Sequence, residues 1–387
     1  MFFAVAISVL FIIHGYVAWR ILPALGLTLI QSLLAYTLVF IVGLFPIVPI
    51  LMRLNGSESK LLDKFSILGY TSLGFFVLSF IILLFKDIFL NALSFIQYLS
   101  NNQETLDNSR REFIKRSLSI GTVGISGLAS AYGYYHARKG PRIIEQNIFI
   151  YNLPEQFENF EIIQISDLHV GPTIKRHYVE DVVEKVGTAN PDLIAITGDL
   201  VDGSVKYLRD DVEPLKELKA EFGTFFVTGN HEYYSGVDMW LDETNRLGMI
   251  NLINDYRILS KDNSSIAIAG ITDYRAHQIK PSHKSSPKSA VKSLDKDIIK
   301  IMLAHQPNSI YAVHEAGVHL QLSGHTHGGQ FWPFIYPTKL ANSYLAGHYD
   351  HYGTQIYVNR GTGYWGPPLR IGVPSEITLI RLKRKSS

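Results

Sequence analysis

The chain changes its hydrophobic rhythm twice. Residues 1–19 are apolar apart from Ser8 and His14, residues 24–52 carry no charge, and residues 65–85 carry none either. Each run is long enough to cross a bilayer core of about 30 Å as a helix. The pattern predicts three spanning helices within residues 1–100, with the polar stretch 53–64 joining the second to the third. Pro46 and Pro49 kink the end of the second, which membrane helices tolerate. From about Asn147 the rhythm becomes short β-rich runs alternating with helical ones. Runs at 161–166, 192–197, 223–228, 298–304 and 318–323 read as buried strands, because each is a short apolar stretch closed by Gly, Asp or another loop residue. Helical spacing falls at 176–188, 208–221, 238–247 and 307–316, the last opening on a proline suited to a first helical turn. Further strands are expected at 265–270, 354–359 and 376–382. Residues 276–293, rich in Ser, Lys, His and Pro, read as a long mobile loop. Its basic residues have the charge to meet a phosphate, but a solvated loop is the simpler expectation.

Strand-helix alternation that gives way to strand-rich sequence predicts an α/β fold: a four-layer α-β-β-α sandwich preceded by a helical transmembrane region. The expected organisation is membrane helices in 1–100, a basic segment with a weak hydrophobic helix in 101–142, and the globular domain in 143–387.

The basic segment contains Ser109-Arg110-Arg111-Glu112-Phe113-Ile114-Lys115, which resembles a twin-arginine export signal. The mildly apolar stretch 118–135, with glycines at 121, 124, 127 and 133, suits such a signal, and Ala129-Ser130-Ala131 has the form of a cleavage site. Its position behind three hydrophobic segments departs from the usual N-terminal placement. The alternative is a basic cytoplasmic loop and a fourth helix. Both readings put residues 101–117 on the cytoplasmic side, since Arg110, Arg111, Lys115 and Arg116 follow the positive-inside rule. The globular domain is then extracytoplasmic, although Arg138, Lys139 and Arg142 weaken the asymmetry.

Composition narrows the chemistry. A length of 387 residues accommodates both a membrane region and a large core. The formal charge of +2 offers no argument for nucleic acid as a partner. With no cysteine, disulfides and thiolate metal sites are excluded. Several of the 14 histidines instead fall just beyond the predicted strands. The blocks are Asp167-Leu168-His169, Gly198-Asp199-Leu200-Val201-Asp202, Gly229-Asn230-His231-Glu232, His305 and Gly324-His325-Thr326-His327. Taken singly, each is an ordinary turn or a buried histidine. Together they place oxygen and nitrogen donors along one sheet edge, where open α/β architectures carry their sites. Two divalent ions some 3.5 to 4 Å apart are a known solution to phosphoester hydrolysis, and such a pair needs a bridging carboxylate with imidazoles around it. Asp199 is the natural bridge.

The ordered blocks resemble the calcineurin-like metallophosphoesterases, whose pattern is D-x-H, G-D-x-x-D, G-N-H-E/D, a lone H, and G-H-x-H. The resemblance implies a dinuclear centre with a bridging hydroxide. Asp167, His169 and His327 are then the ligands of one metal, Asn230, His305 and His325 of the second, with Asp199 shared. It gives His231 a role against the phosphate and leaving group, and Asp202 and Glu232 the role of orienting neighbours. Manganese is favoured by family habit, with iron(II) or zinc compatible with the same donors. The GHTHGGQ form and Asn359-Arg360-Gly361 resemble a membrane-associated bacterial branch, with Arg360 as a phosphate contact and a phospholipid or lipid-linked diphosphate as the implied substrate. The aromatic run 331–337, with Tyr364 and Trp365, has the composition of a lip meeting a bilayer or, equally, of a β-domain core. Two other function classes remain: a non-catalytic membrane sensor or binding module, which intact ligand positions disfavour, and a transporter, for which the spans offer few polar groups beyond His14 and Gln31.

Overall fold

The structure is a computed structural model describing residues 2–100 and 108–385. The head of the basic segment, residues 101–107, and the side chains of Arg111 and Lys115 in the twin-arginine-like motif lie outside the described residues. The chain divides into two compact units: Met1–Tyr135 with Gly366–Leu369, and His136–Trp365 with Arg370–Ser387.

The first unit is helical: α1 (Phe2–Ile21), α2 (Leu29–Leu44), α3 (Ile47–Leu54), α4 (Lys60–Leu99) and α5 (Asn108–Arg138), the last continuing into the second unit from His136. Three segments, Ile7–Leu25, Leu29–Met52 and Lys60–Leu99, are long and apolar enough to cross a membrane. Their outward faces carry Leu29, Ile30, Leu33, Leu34 and Leu38, the reverse of a water-soluble bundle and the arrangement lipid requires. Inside, Val17 and Ile21 of α1 meet Leu83 of α4, and Tyr16 and Arg20 both bond to Asp87. The second span is broken at Phe45–Pro46 into α2 and α3, as the prolines predict. Gly69 makes the break packable, since a Cβ there would stand 2.5 Å from the Phe45 carbonyl carbon and the Pro46 nitrogen. The third span is longer than its uncharged core, because Lys60 to Lys64 and Lys86 onward continue the same helix. Ser59 starts it by accepting the Leu62 amide.

The second unit holds two six-stranded sheets. Its strands are β1 (Arg142–Tyr151), β2 (Glu161–Ile165), β3 (Leu193–Ile196), β4 (Thr224–Phe226), β5 (Met249–Asn251), β6 (Asp255–Lys261), β7 (Ser264–Gly270), β8 (Ile299–Leu303), β9 (Leu320–Ser323), β10 (Gly347–His351), β11 (Thr354–Val358) and β12 (Glu376–Lys385). The sheet orders are β1-β12-β2-β3-β4-β5 and β10-β11-β9-β8-β7-β6. In the first, β2 to β5 run parallel; in the second, β11, β9, β8 and β7 do. Helices α6 (Arg176–Ala189), α7 (Val205–Val212), α8 (Asn230–Ser235), α9 (Val237–Arg246), α10 (Pro287–Val291), α11 (Ile310–Glu315) and α12 (Ile335–Ala341) lie between strands.

Alternation along each strand builds the layers. Ile162, Leu193 and Ala195 face Ile301, Leu303 and Leu322 across the gap between sheets. Their neighbours Ile163, Ile194 and Ile196 face outward and are covered by Val179 and Val182 of α6, Leu208 of α7 and Trp240 of α9. Met302 and Ala304 likewise sit under Ala290 of α10 and Val313 of α11. Burial on both faces explains why these strands read as largely apolar runs, interrupted by Gln164 in β2 and Lys300 in β8. The result is the expected four-layer α-β-β-α sandwich. The end of α5 is pinned to this unit: Ala137 is buried in its core, and Arg138 donates to the Thr173 carbonyl at 2.6 Å.

Two expectations change. The helix predicted at 208–221 ends at Val212, where Pro214 forces a 3-10 turn, Glu213–Glu217. Residues 276–293 are not a loose loop: they form two 3-10 turns and α10, with Ala276, Pro287, Ala290 and Val291 buried. These four buried small or apolar side chains help to dock an otherwise polar stretch.

Truncating Ile301, fully buried between the sheets, is expected to destabilise the chain by about 2–5 kcal/mol. Tyr352→Ala, at a strongly exposed tyrosine, should change stability by under about 0.5 kcal/mol. Denaturant unfolding of the two detergent-solubilised variants, followed by near-UV circular dichroism, checks the pair.

Candidate metal centre

The parallel strands deliver their C-terminal ends to one edge, and each of the motif blocks lies just past such an end. Asp167 and His169 follow β2, Asp199 and Asp202 follow β3, Asn230 to Glu232 follow β4, His305 follows β8, and His325 and His327 follow β9. The chain leaves these strands in a strained conformation. Asp167, His169, Asp199, His325 and His327 have φ of 53°, 54°, 51°, 70° and 50°, in the left-handed region. Elsewhere among the described residues, positive φ on a side-chain-bearing residue falls mostly on Asn or Asp. Such conformations cost about 1–3 kcal/mol each and persist where surrounding contacts over-determine them. Glycine supplies the close approach: a Cβ on Gly324 would stand 2.2 Å from Asp167 Oδ2 and 1.9 Å from Ser166 Oγ.

Three groups of donors result: Asp167, His169 and His327; Asp199, His305 and His325; and His169, Asp199 and His231, with the ligand atoms of each group within 4.8 Å of one another. Asp199 belongs to two of them. Its Oδ2 is 3.1 Å from His305 Nε2 and 3.9 Å from the Nε2 atoms of both His169 and His231. Oδ1 accepts the His231 amide at 2.9 Å. Burial alone would raise the Asp199 pKa, but His305, His231 and His169 outweigh it and hold the carboxyl ionised, well below its usual range. Asp167 accepts the His325 amide at 3.0 and 2.9 Å and lies 3.5 Å from His327 Nε2.

Surrounding groups fix the rings. His305 Nδ1 donates to the Thr197 carbonyl at 2.8 Å, which turns its Nε2 toward Asp199. His169 Nδ1 donates to Asp202 Oδ2 at 3.1 Å, and His231 Nδ1 bonds the other oxygen of the same carboxylate. One aspartate therefore orients two imidazoles. Glu232 acts on backbone: its carboxylate accepts the amides of Gly229, Asp199 and Leu200 at 2.6, 3.0 and 2.7 Å. Arg360, a third exposed, is held by buried Glu376.

Arg370 carries no motif and is absent from the sequence-predicted set. Buried completely, it donates to the carbonyls of His327, Arg360 and Gly363, tying the His327 turn to the loop after β11. Burial pushes its pKa down to about 10. No spacing in the sequence reveals it, since all three partners are backbone carbonyls that any residue type could supply. The aromatic residues divide: Phe331 and Tyr364 are buried, whereas Trp332, Phe334, Tyr336 and Trp365 are exposed. The Trp365 ring lies 5.7 Å from that of His231.

Residues 160–329 match the calcineurin-like phosphoesterase family. Over 368 residues the chain is 36% identical to an uncharacterized metallophosphoesterase of Helicobacter pylori, an alignment covering 87% of this chain and 97% of the relative. The chain belongs to the calcineurin-like metallophosphoesterase family. It is also 32% identical over 329 residues to a transmembrane protein with metallophosphoesterase domain from Danio rerio, covering 82% of this chain and 74% of that one. A Bacillus subtilis metallophosphoesterase is 32% identical over 288 residues, or 71% of this chain and 98% of that one.

Membership in a metallophosphoesterase family implies divalent metal ions, and the donors fit them. The buried Asn230 Oδ1 has no hydrogen-bond partner. His169 Nε2 and His327 Nε2 face each other at 3.1 Å, and His305 Nε2 and His325 Nδ1 at 3.2 Å, pairings that need a proton or a cation between them. Burial and the neighbouring His305 push the His325 pKa down to about 3, and burial with His169 and Arg370 holds His327 well below its usual range. Both imidazoles are thus kept neutral, the form that ligates metal.

Proposed function

We propose that this chain is a membrane-tethered, metal-dependent phosphoester hydrolase, a phosphodiesterase or pyrophosphatase with a dinuclear centre. The observation that supports it most is the sharing of Asp199 between two donor groups whose other members are imidazoles and Asp167. Asp167, His169 and His327 would hold one cation, Asn230, His305 and His325 the other, and Asp199 both. Two divalent ions, manganese by preference with iron(II) or zinc as alternatives, would neutralise phosphate oxygens and lower the pKa of a water.

The remaining work falls to the side chains around them. His231, held at Nδ1 by Asp202, presents Nε2 on the Asp199 side of the centre, where it contacts the phosphate and donates a proton to the leaving oxygen. Glu232 holds the backbone turns that carry Asp199 and Asn230, so neither donor needs to reorganise when substrate arrives. Arg360 offers its exposed edge to a phosphate oxygen. The exposed aromatic side chains, with Trp365 against His231, support a lipid-bearing substrate, since such rings are favoured at membrane interfaces. We place the protein in the cell membrane as a multi-pass chain with its hydrolase unit on the extracytoplasmic face, reached through the basic segment around Arg110 and Arg111.

The full chain in detergent is expected to hydrolyse bis-p-nitrophenyl phosphate with manganese and to lose activity on chelation. Asp199→Ala or His325→Ala should lower turnover by at least about 100-fold, since even residues that only orient a ligand are worth 10 to 100-fold. Full activity in either variant overturns the assignment. An alkaline phosphatase reporter fused after residue 140 should be active in a bacterial host and lose activity when Arg110 and Arg111 become Lys. A silent reporter refutes the outward orientation, and an unchanged one removes the export signal.

A further inference from the structure

Residues 276–293, expected to be a solvated loop, instead join Tyr274 and Arg275 in walling an open cavity of about 280 Å³ whose lining includes Tyr274, Arg275, His277, Lys284, Ser309 and Ala312. We propose that this cavity is a subsite for a second anionic group on the same substrate, so that the preferred substrate is polyanionic. The inference rests on the phosphoesterase reading given above and adds a recognition site to it.

Place is the first argument. Strands β7 and β8 are parallel neighbours with Gly270 opposite Leu303, so the chain after Gly270 leaves the same edge as His305. Asp273 ties that exit to the centre: its amide donates to Thr228 Oγ1 at 3.3 Å, two residues before Asn230, and its Oδ2 accepts Gln306 Nε2 at 2.8 Å, next to His305. Arg275 follows two residues later, its amide fixed by Asp273 Oδ1 at 2.8 Å. Ser309 and Ala312 reach the cavity from the turn and helix that His305 leads into.

Charge is the second. Among the described residues, neither the Arg275 guanidinium nor the Lys284 ammonium has a carboxylate partner, whereas nearby Lys280 is paired with Asp238. Asp273, the carboxylate on the same turn, accepts from the Arg275 backbone amide and the Gln306 side chain rather than from either cation. Two unpaired cations facing one concavity make a site for an anion, and guanidinium suits an oxyanion in particular.

Preorganisation is the third. The Lys284 carbonyl accepts Asn254 Nδ2 at 3.0 Å, and the Ser286 amide donates to Asn254 Oδ1 at 2.9 Å, so the backbone carrying Lys284 is clamped. The His283 carbonyl accepts Thr272 Oγ1 at 2.8 Å, and its Nδ1 pairs with the Tyr233 hydroxyl at 2.9 Å. Tyr233 lies on α8, the helix that Asn230 begins. The backbone of the wall and the candidate centre are therefore parts of one bonded assembly, and a ligand has only the exposed Arg275 and Lys284 side chains left to order.

The test compares UDP-glucose, which carries a second phosphate beside the one attacked, with bis-p-nitrophenyl phosphate, which carries none, using the manganese-loaded full chain. The wild type should favour UDP-glucose in kcat/KM. In Arg275→Ala/Lys284→Ala that preference should fall by roughly tenfold or more, the scale of one hydrogen bond to a charged group. Arg275→Lys should recover part of it. An unchanged preference in the double variant, or a wild type that cleaves bis-p-nitrophenyl phosphate but not UDP-glucose, overturns the subsite. A wild type inert toward both overturns the phosphoesterase reading and the subsite with it.

Discussion

A carboxylate buried as completely as Asp199 survives only if positive charge or hydrogen bonds surround it, because moving an unpaired ion out of water costs several kcal/mol. The protein meets that demand with three imidazoles and a backbone amide. Each of those partners comes from a different strand end: His169 from β2, His231 and its amide from β4, His305 from β8. Satisfying one buried charge therefore requires both sheets to be in register. The left-handed backbone of the donor residues is the cost of that convergence, and Glu232 and Arg370, bonding to the backbone of the turns, hold it.

The sandwich makes such convergence possible. Parallel strands put equivalent ends on one edge, and two facing sheets bring one edge against the other. The inter-sheet core of Ile162, Leu193, Ile301 and Leu322 sets their separation, so the geometry at Asp199 is inherited from packing well below it. The 272–291 segment uses the same edge. Its turn through Asp273 is bonded to the strand-end loops of Thr228 and Gln306, which is why a polar stretch with few apolar residues is ordered.

Much of this was legible in the sequence because of physical regularities. Strands buried on both faces leave largely apolar runs, and the turns that close β2, β3, β4, β8 and β9 carry Gly, Asp, Asn or His, so the donor blocks stand out. The three apolar helices stand out because no polar face interrupts them, as a helix crossing lipid requires. Other features depend on partners far along the chain. β1 sets the polar triplet Glu145-Gln146-Asn147 between apolar runs with no strand-like alternation, and its parallel pairing with β12 defines it. Arg370 acts through carbonyl groups of residues that could be of any type. The order of 276–293 depends on Asn254 and Tyr233, neither of which belongs to its own pattern.

In the proposed site Asp199 would join two cation positions into one centre. The most direct test of this is electron paramagnetic resonance, with metal analysis, on the full chain loaded with manganese and freed of excess ion. Two ions per chain with an exchange-coupled spectrum, and loss of the coupling in Asp199→Ala, are expected. A single ion per chain, or two ions that remain uncoupled in the native protein, would contradict it.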